Sequence, residues 1–336
     1  MTSDATSSAR TPDTKPARLD GLRVVFFGMG GIFSRQPLEA LLRAGADLRA
    51  VVTPAQSGLA LVGAETDAPF TRLDPSPRRA TLRALPLAGV PAPTRSLRDL
   101  AAEADAPLLS VARLADPHTL EALAGFAPDA ICVACFTQRL PPTLLAMPRL
   151  GCLNAHPSLL PDNRGPDPLF WTFHAGAAET GVTIHLMDAG LDTGPILAQS
   201  RVALAEGETE VALEARLAAL AGALMARALA GLASGALVPM PQDAARATSH
   251  SWPTAEDYAI SAASWSARRA YLFARGVVGR GQPITLTASD GARFRLVEPL
   301  GYAPDAALAA PWRLEGDRLT LACASGAFTC RIALDD

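Results

Sequence analysis

Residues 22 to 53 spell out strand, tight turn, helix and strand in succession. Leu22-Arg23-Val24-Val25-Phe26-Phe27 is an apolar run that stops at Gly28-Met29-Gly30-Gly31; Pro37 to Leu42 carries a helical apolar spacing, and Leu48 to Thr53 supplies a second apolar run. A helix between two such strands returns the chain in parallel and covers one face of the sheet. The unit therefore predicts an α/β fold with a Rossmann-like, doubly wound parallel sheet. The glycines match a dinucleotide fingerprint only loosely, because Phe33 stands at the third glycine position and no acidic residue promptly follows the second strand. The steric reading, glycine where strand turns into helix, is preferred to NAD binding.

A chain of 336 residues with 49% hydrophobic content suits two packed cores. Residues 1–20, rich in Thr, Ser, Ala, Asp and Pro, read as a disordered tail without the apolar segment of a secretory signal. No apolar run reaches the roughly 18 to 20 residues that cross a bilayer. The expectation is a cytoplasmic protein with no membrane association and no obligate protein partner. The five cysteines do not form a small secreted disulfide framework. Cys132 and Cys135 form a C-x-x-C inside the apolar run 130–136, which reads as a buried strand; zinc would need a second ligand pair that the sequence lacks. No metal is expected.

Further along, residues 54 to 98 form a Pro-rich stretch that reads as a long loop and carries Arg72, Arg78, Arg79 and Arg83. Helices are expected at 97–104 and 117–125, and strands at 130–136 and 151–155. Asp167-Pro168 can cap and start a helix that Gly176 stops. Strands follow at 181–188 and 195–203, and Thr209 caps an Ala-rich helix whose leucine stripe, Leu213, Leu217, Leu220 and Leu224, reads as core. These elements make a first domain at 21–236. A linker at 237–252 precedes a second domain at 253–336, with a helix at 264–276 and several short strands that fit a small antiparallel, OB-like β-barrel. Cys323 and Cys330 flank a turn where they could face each other across a hairpin.

The chemistry concentrates near the end of the 151–155 strand. Asn154 and His156 stand two residues apart, so their side chains share one side of the chain. Asp192 lies in a Gly-flanked turn within reach of the same sheet edge. A carboxylate beside an imidazole raises the imidazole pKa, and an Asn amide can donate to a developing oxyanion. The trio suits acyl transfer without a covalent intermediate. His185, on the strand leading to that turn, reads as a packing or hydrogen-bonding residue.

Asn154-x-His156-Pro157-Ser158-Leu159-Leu160-Pro161, Arg164-Gly165, Thr180-Gly181-Val182-Thr183 and Asp188-x-Gly190-Leu191-Asp192-Thr193-Gly194, taken together, resemble the formyltransferases that use 10-formyltetrahydrofolate. The resemblance covers roughly residues 22 to 235. It implies that Asn154, His156 and Asp192 are catalytic, and that Phe136, Leu140, Asp188, Gly190, Leu191 and Gly194 line a folate pocket. It also implies that Ser158, Leu159, Leu160, Pro161 and Arg164, with Arg72, Arg78, Arg79 and Arg83, meet the acceptor.

The donor implied is 10-formyltetrahydrofolate, and the acceptor that fits best is the amino group of methionyl-tRNA; an amino-sugar nucleotide or another small amine, or hydrolysis of the donor, are the alternatives. Met29-Gly30-Gly31, Pro157 and Asp162-Asn163 depart from the tRNA-directed members. Residues 242 to 336 carry ten Arg against ten acids, a neutral balance that offers no broad phosphate-neutralising surface.

Overall fold

The computed structural model describes residues 17–55, 68–73 and 95–334. The opening unit is β1 (Arg23–Gly28), α1 (Ile32–Arg43) and β2 (Asp47–Pro54), with β1 and β2 parallel. Every β1 residue after Arg23 is buried, which is why the strand reads as an unbroken apolar run: a parallel strand is covered on both faces. The sheet continues with β3 (Phe70–Leu73), α2 (Leu97–Glu103), β4 (Leu108–Val111), α3 (Pro117–Gly125), β5 (Ala130–Ala134), α4 (Pro142–Leu145) and β6 (Cys152–His156). It closes with α5 (Pro168–Ala175), β7 (Glu179–Leu186), β8 (Ile196–Ala203) and α6 (Glu210–Ala233).

The eight strands lie in the order β3-β4-β2-β1-β5-β6-β7-β8. From β1 the chain winds outward through β2 and β4, then crosses back to β5 and β6 on the other side, so the doubly wound expectation holds. The parallel ladder runs from β4 to β6, and β3, β7 and β8 are antiparallel. The expected helix signals are present: Asp167 accepts from the Phe170 N–H, Pro168 opens α5, and Gly176 at φ +65° ends it. Thr209 caps α6 through the Ala212 N–H.

By length and mean hydropathy α6 is apolar enough to cross a membrane, although Glu214, Arg216 and Arg227 interrupt its apolar residues; half of the qualifying stretch is buried, with Leu213 and Leu217 fully covered. Alanines supply the hydropathy, and the leucine stripe packs inward. Residues 17–20, expected to belong to the tail, pack against the first domain. Leu19 is fully buried and its N–H donates to Ala44 O at 2.7 Å.

The remaining elements are β9 (Ala259–Ser261), α7 (Ala267–Val277), β10 (Ile284–Thr287), β11 (Arg293–Ala303), β12 (Trp312–Glu315), β13 (Arg318–Ala322) and β14 (Ala327–Ile332). They form a second sheet in the order β12-β13-β14-β11-β10-β9. Bulges in β11 between Leu296 and Glu298 and between Pro299 and Gly301 bend the long strand. The barrel is open, since its end strands β12 and β9 do not pair, and β9 runs parallel to β10 rather than antiparallel. Phe170 and Phe173 of α5 pack with Tyr258, Trp265 and Phe273 in one continuous core. Arg280 adds ion pairs to Asp167 and Glu210.

Two cysteine readings change. β5 ends at Ala134, because Cys135 takes a left-handed φ of +56° and is exposed. Cys330 pairs in register with Leu319, while the Cys323 N–H donates to Gly326 O, so the two thiols are not cross-strand partners.

Candidate active site

β6 and β7 are antiparallel with Asn154 opposite His185 and His156 opposite Thr183. Facing residues on one side of a pair sit close enough to touch, so this register places Asn154, His156 and His185 together. The turn between β7 and β8 brings Asp192 over them. Asp192 Oδ1 lies 3.7 Å from His156 Nδ1 and 3.6 Å from His185 Nε2, and Asp192 Oδ2 accepts the Gly165 N–H at 2.9 Å. The three predicted residues converge, and His185 joins them.

The hydrogen bonds fix the roles of the ring atoms. His156 Nε2 lies 2.9 Å from Asn163 O, a pure acceptor, so Nε2 carries a proton and Nδ1 faces the carboxylate. His185 Nδ1 likewise donates to Leu186 O at 2.9 Å. In the neutral ring its Nε2 accepts an N–H from Asn154 Nδ2 at 3.2 Å, and among the described residues the second N–H of the Asn154 amide has no hydrogen-bond partner.

Burial works against charge here. His156 is 4% exposed, and burial pulls its pKa below the usual imidazole value, although Asp192 and Asn163 O push the other way. The expectation that the carboxylate would raise it is thus overturned by desolvation. Asp192 stays ionised: burial would raise its pKa, but the charge that His156 takes up in acid and the Gly165 N–H bring it down to about 2. Among the described residues no group of His, Cys, Asp and Glu is placed to hold a metal ion.

The loops around the trio are pinned. Asp188 Oδ1 accepts from the Gly190 N–H and from Thr193 Oγ1, so its side chain closes the turn and leaves Leu191 at the tip, 45% exposed. A Cβ on Gly165, at φ +119°, would fall 2.1 Å from His250 O, so no other residue fits. Thr183 Oγ1 donates to Ser158 O and accepts from the Leu160 N–H and Gln199 Nε2, locking the loop after β6.

Several expected binding residues already have partners within the protein. Ser158 and Leu160 are 1% and 2% exposed, and Ser158 Oγ donates to Asp162 O, so both side chains shape the loop from inside. Leu159 is half-buried beneath Gly181, and Pro161 follows Leu160 through a cis bond at the loop's bend. The Arg164 guanidinium donates through Nε and one terminal nitrogen to Gln242 Oε1, at 3.1 and 2.7 Å.

Leu140 is buried; Phe136 is half-buried and packs edge-on against Phe27, with Gly194 in the same region as the active turn. Arg72 sits on β3, five strand spacings or about 24 Å across the sheet from β6, so it is remote from the trio. Arg78, Arg79 and Arg83 lie outside the described residues.

Sequence reasoning missed Gln242. The stretch read as a linker pairs with the first sheet: Met240 bridges Ile196, and Arg164 exchanges backbone bonds with Thr248 and His250. Gln242 Nε2 donates to Asp192 O and Gly194 O, each at 2.8 Å.

An amide, an imidazole and a carboxylate at the end of a parallel strand define a site suited to chemistry at a carbonyl carbon. The formyl transferase family profile matches residues 22–229, and the chain belongs to that family. A methionyl-tRNA formyltransferase of Anaeromyxobacter sp. (strain K) is 38% identical over 224 residues, 66% of this chain and 71% of that protein. One from Synechococcus sp. (strain JA-2-3B'a(2-13)) is 46% identical over 133 residues, 40% of this chain and 41% of that protein. The chain spans less than half the length of several curated relatives that it matches. An N-formyltransferase structure from Helicobacter canadensis, in complex with folinic acid and dTDP-3-aminofucose, shares the fold at a TM-score of 0.62 and 12% identity, covering 93% of this chain and all of that one.

Proposed function

We propose that this protein transfers a formyl group from 10-formyltetrahydrofolate to a primary amine, and that the amine is the amino group of methionyl-tRNA. The observation that carries the chemistry is the free N–H of Asn154 beside a neutral His156 paired with an ionised Asp192. The acceptor rests on the relatives' names, at 36 to 38% identity over about two thirds of the chain.

In this reading the neutral amine attacks the formyl carbon, and the carbonyl oxygen becomes an oxyanion that takes the unspent Asn154 N–H. The proton shed by the attacking nitrogen passes through water to His156 Nδ1, where Asp192 stabilises the imidazolium. Breaking the bond to N10 returns that proton to the nitrogen of the departing tetrahydrofolate, so atoms and charge balance. Phe136 and the 188–194 turn border the donor side, and the loop after β6 borders the acceptor.

The test is a panel with purified protein and 10-formyltetrahydrofolate: methionyl-tRNA, an amino-sugar nucleotide, and buffer alone. Formyl appearing on methionyl-tRNA in step with tetrahydrofolate release supports the proposal. Formyl on the amino sugar alone replaces the acceptor, and equal release in buffer makes the protein a hydrolase.

A further inference from the structure

The turn that carries Asp192 is held by a side chain fifty residues away, in a segment with no counterpart in the expected catalytic motif. Gln242 spends its whole amide there. Both N–H groups donate to turn carbonyls, one to Asp192 O and one to Gly194 O at 2.8 Å each, and Oε1 accepts Nε and a terminal nitrogen of Arg164 at 3.1 and 2.7 Å. Arg164 precedes Gly165, whose N–H holds Asp192 Oδ2. One amide thus cross-links the two loops that meet at the carboxylate.

Two observations show that the arrangement bears on Asp192 itself. Its φ of +54° places a non-glycine residue in the left-handed region, a conformation that persists where neighbouring contacts over-determine it. The segment is also clamped on both sides of Gln242: Met240 exchanges two backbone bonds with Ile196 at 2.7 and 2.8 Å, and Thr248 and His250 bracket Arg164 at 2.9 Å each. Pro241 and Asp243 are exposed, so Gln242 is the side chain turned inward.

We infer that Gln242 is a positioning residue for formyl transfer, acting through Asp192: its two N–H groups hold the left-handed turn so that the carboxylate stays between His156 and His185. Arg164 orients the amide so that its nitrogen faces the turn. The inference rests on the proposed chemistry for its effect on rate, and on the structure alone for its effect on His156.

The test compares wild type with Gln242→Met, which keeps length and volume and loses the donors, and with Gln242→Glu, which keeps an acceptor for Arg164 and sets an anion against two carbonyl oxygens. Both variants are expected to lower kcat by about 10- to 100-fold, with the donor KM within about threefold, as for a catalytic group displaced by a fraction of an ångström to an ångström. In an Asp192→Ala background Gln242→Met should cost nothing further, because the residue acts through Asp192.

A second readout needs no turnover. The His156 imidazole, titrated by NMR, should ionise at lower pH in Gln242→Met than in wild type, since the carboxylate that favours its charged form has moved. An unchanged His156 titration together with additive losses would overturn the inference, as would a Gln242→Glu variant with wild-type kcat. If wild type transfers no formyl group, the proposed function fails and the titration alone decides the role of Gln242. If Gln242→Met does not fold, Arg164→Ala, which leaves both donors but frees the amide to turn, is expected to shift the titration in the same direction, and no shift would overturn the inference.

Discussion

Asn154 Nδ2 lies 3.2 Å from His185 Nε2, across a strand pair whose register sets the two residues directly opposite each other. With Nδ1 committed to Leu186 O, the neutral ring meets Asn154 with the Nε2 lone pair, which accepts an N–H. The amide is thereby turned with its nitrogen inward. His185→Phe should lower kcat by about tenfold, the worth of one oriented hydrogen bond, and should add little to Asn154→Ala. Steady-state kinetics on both single variants and the double variant check this; a fully additive double variant would give His185 an independent role.

Activity should have an acid limb below the usual imidazole pKa of 6.5, because burial holds His156 neutral until lower pH and the proton acceptor must be empty at the start. Asp192 favours the charged ring, so Asp192→Asn should move the limb further down while reducing kcat. A pH profile of kcat/KM for both proteins measures the shift, and an upward move contradicts the geometry.

Stability should fall with acid in two stages. His156 has a lowered folded pKa, so its contribution is present above about pH 6.5 and is lost as pH falls through the folded value. Asp192, lowered from 3.8 to about 2, contributes above pH 3.8 and loses that contribution as pH approaches 2. Urea unfolding between pH 8 and pH 5 should show a larger loss in wild type than in His156→Phe, where burial of His174 and His250, whose pKa values are also lowered, still contributes.

Thr183→Val should destabilise the fold by on the order of 1–3 kcal/mol, since the fully buried hydroxyl serves the Leu160 N–H, Ser158 O and Gln199 Nε2 at once. Denaturant midpoints give the loss directly. No change would mean that the loop after β6 keeps its shape without the hydroxyl.

Arg72→Ala should leave formyl transfer within about twofold of wild type, because β3 is some 24 Å from β6 across the sheet. A large rise in KM for methionyl-tRNA would restore the residue to the acceptor surface.

The sequence foretold what periodicity and local chemistry govern. The βαβ unit, the caps at Asp167 and Thr209, and the pairing of Asn154 with His156 on one strand face depend on neighbours within a few residues. Two kinds of feature were hidden. The balance between burial and Asp192 at His156 is a property of the packed interior, and the sequence shows only the attractive partner. Gln242 bonds to backbone oxygens fifty residues back, and backbone acceptors leave no mark on residue identity. Ser158 and Leu160 adjoin the motif, yet their side chains are buried, and adjacency in the chain does not say which way a side chain turns.

The most direct test of the account is a single-turnover measurement of formyl transfer in Asn154→Ala, with binding of 10-formyltetrahydrofolate determined on the same sample. The account predicts a rate at least about 100-fold below wild type, as for loss of an oxyanion donor, with the donor dissociation constant changed by no more than about threefold. A rate near that of wild type in the folded variant would contradict the assignment of the oxyanion to Asn154, and with it the site's central chemistry.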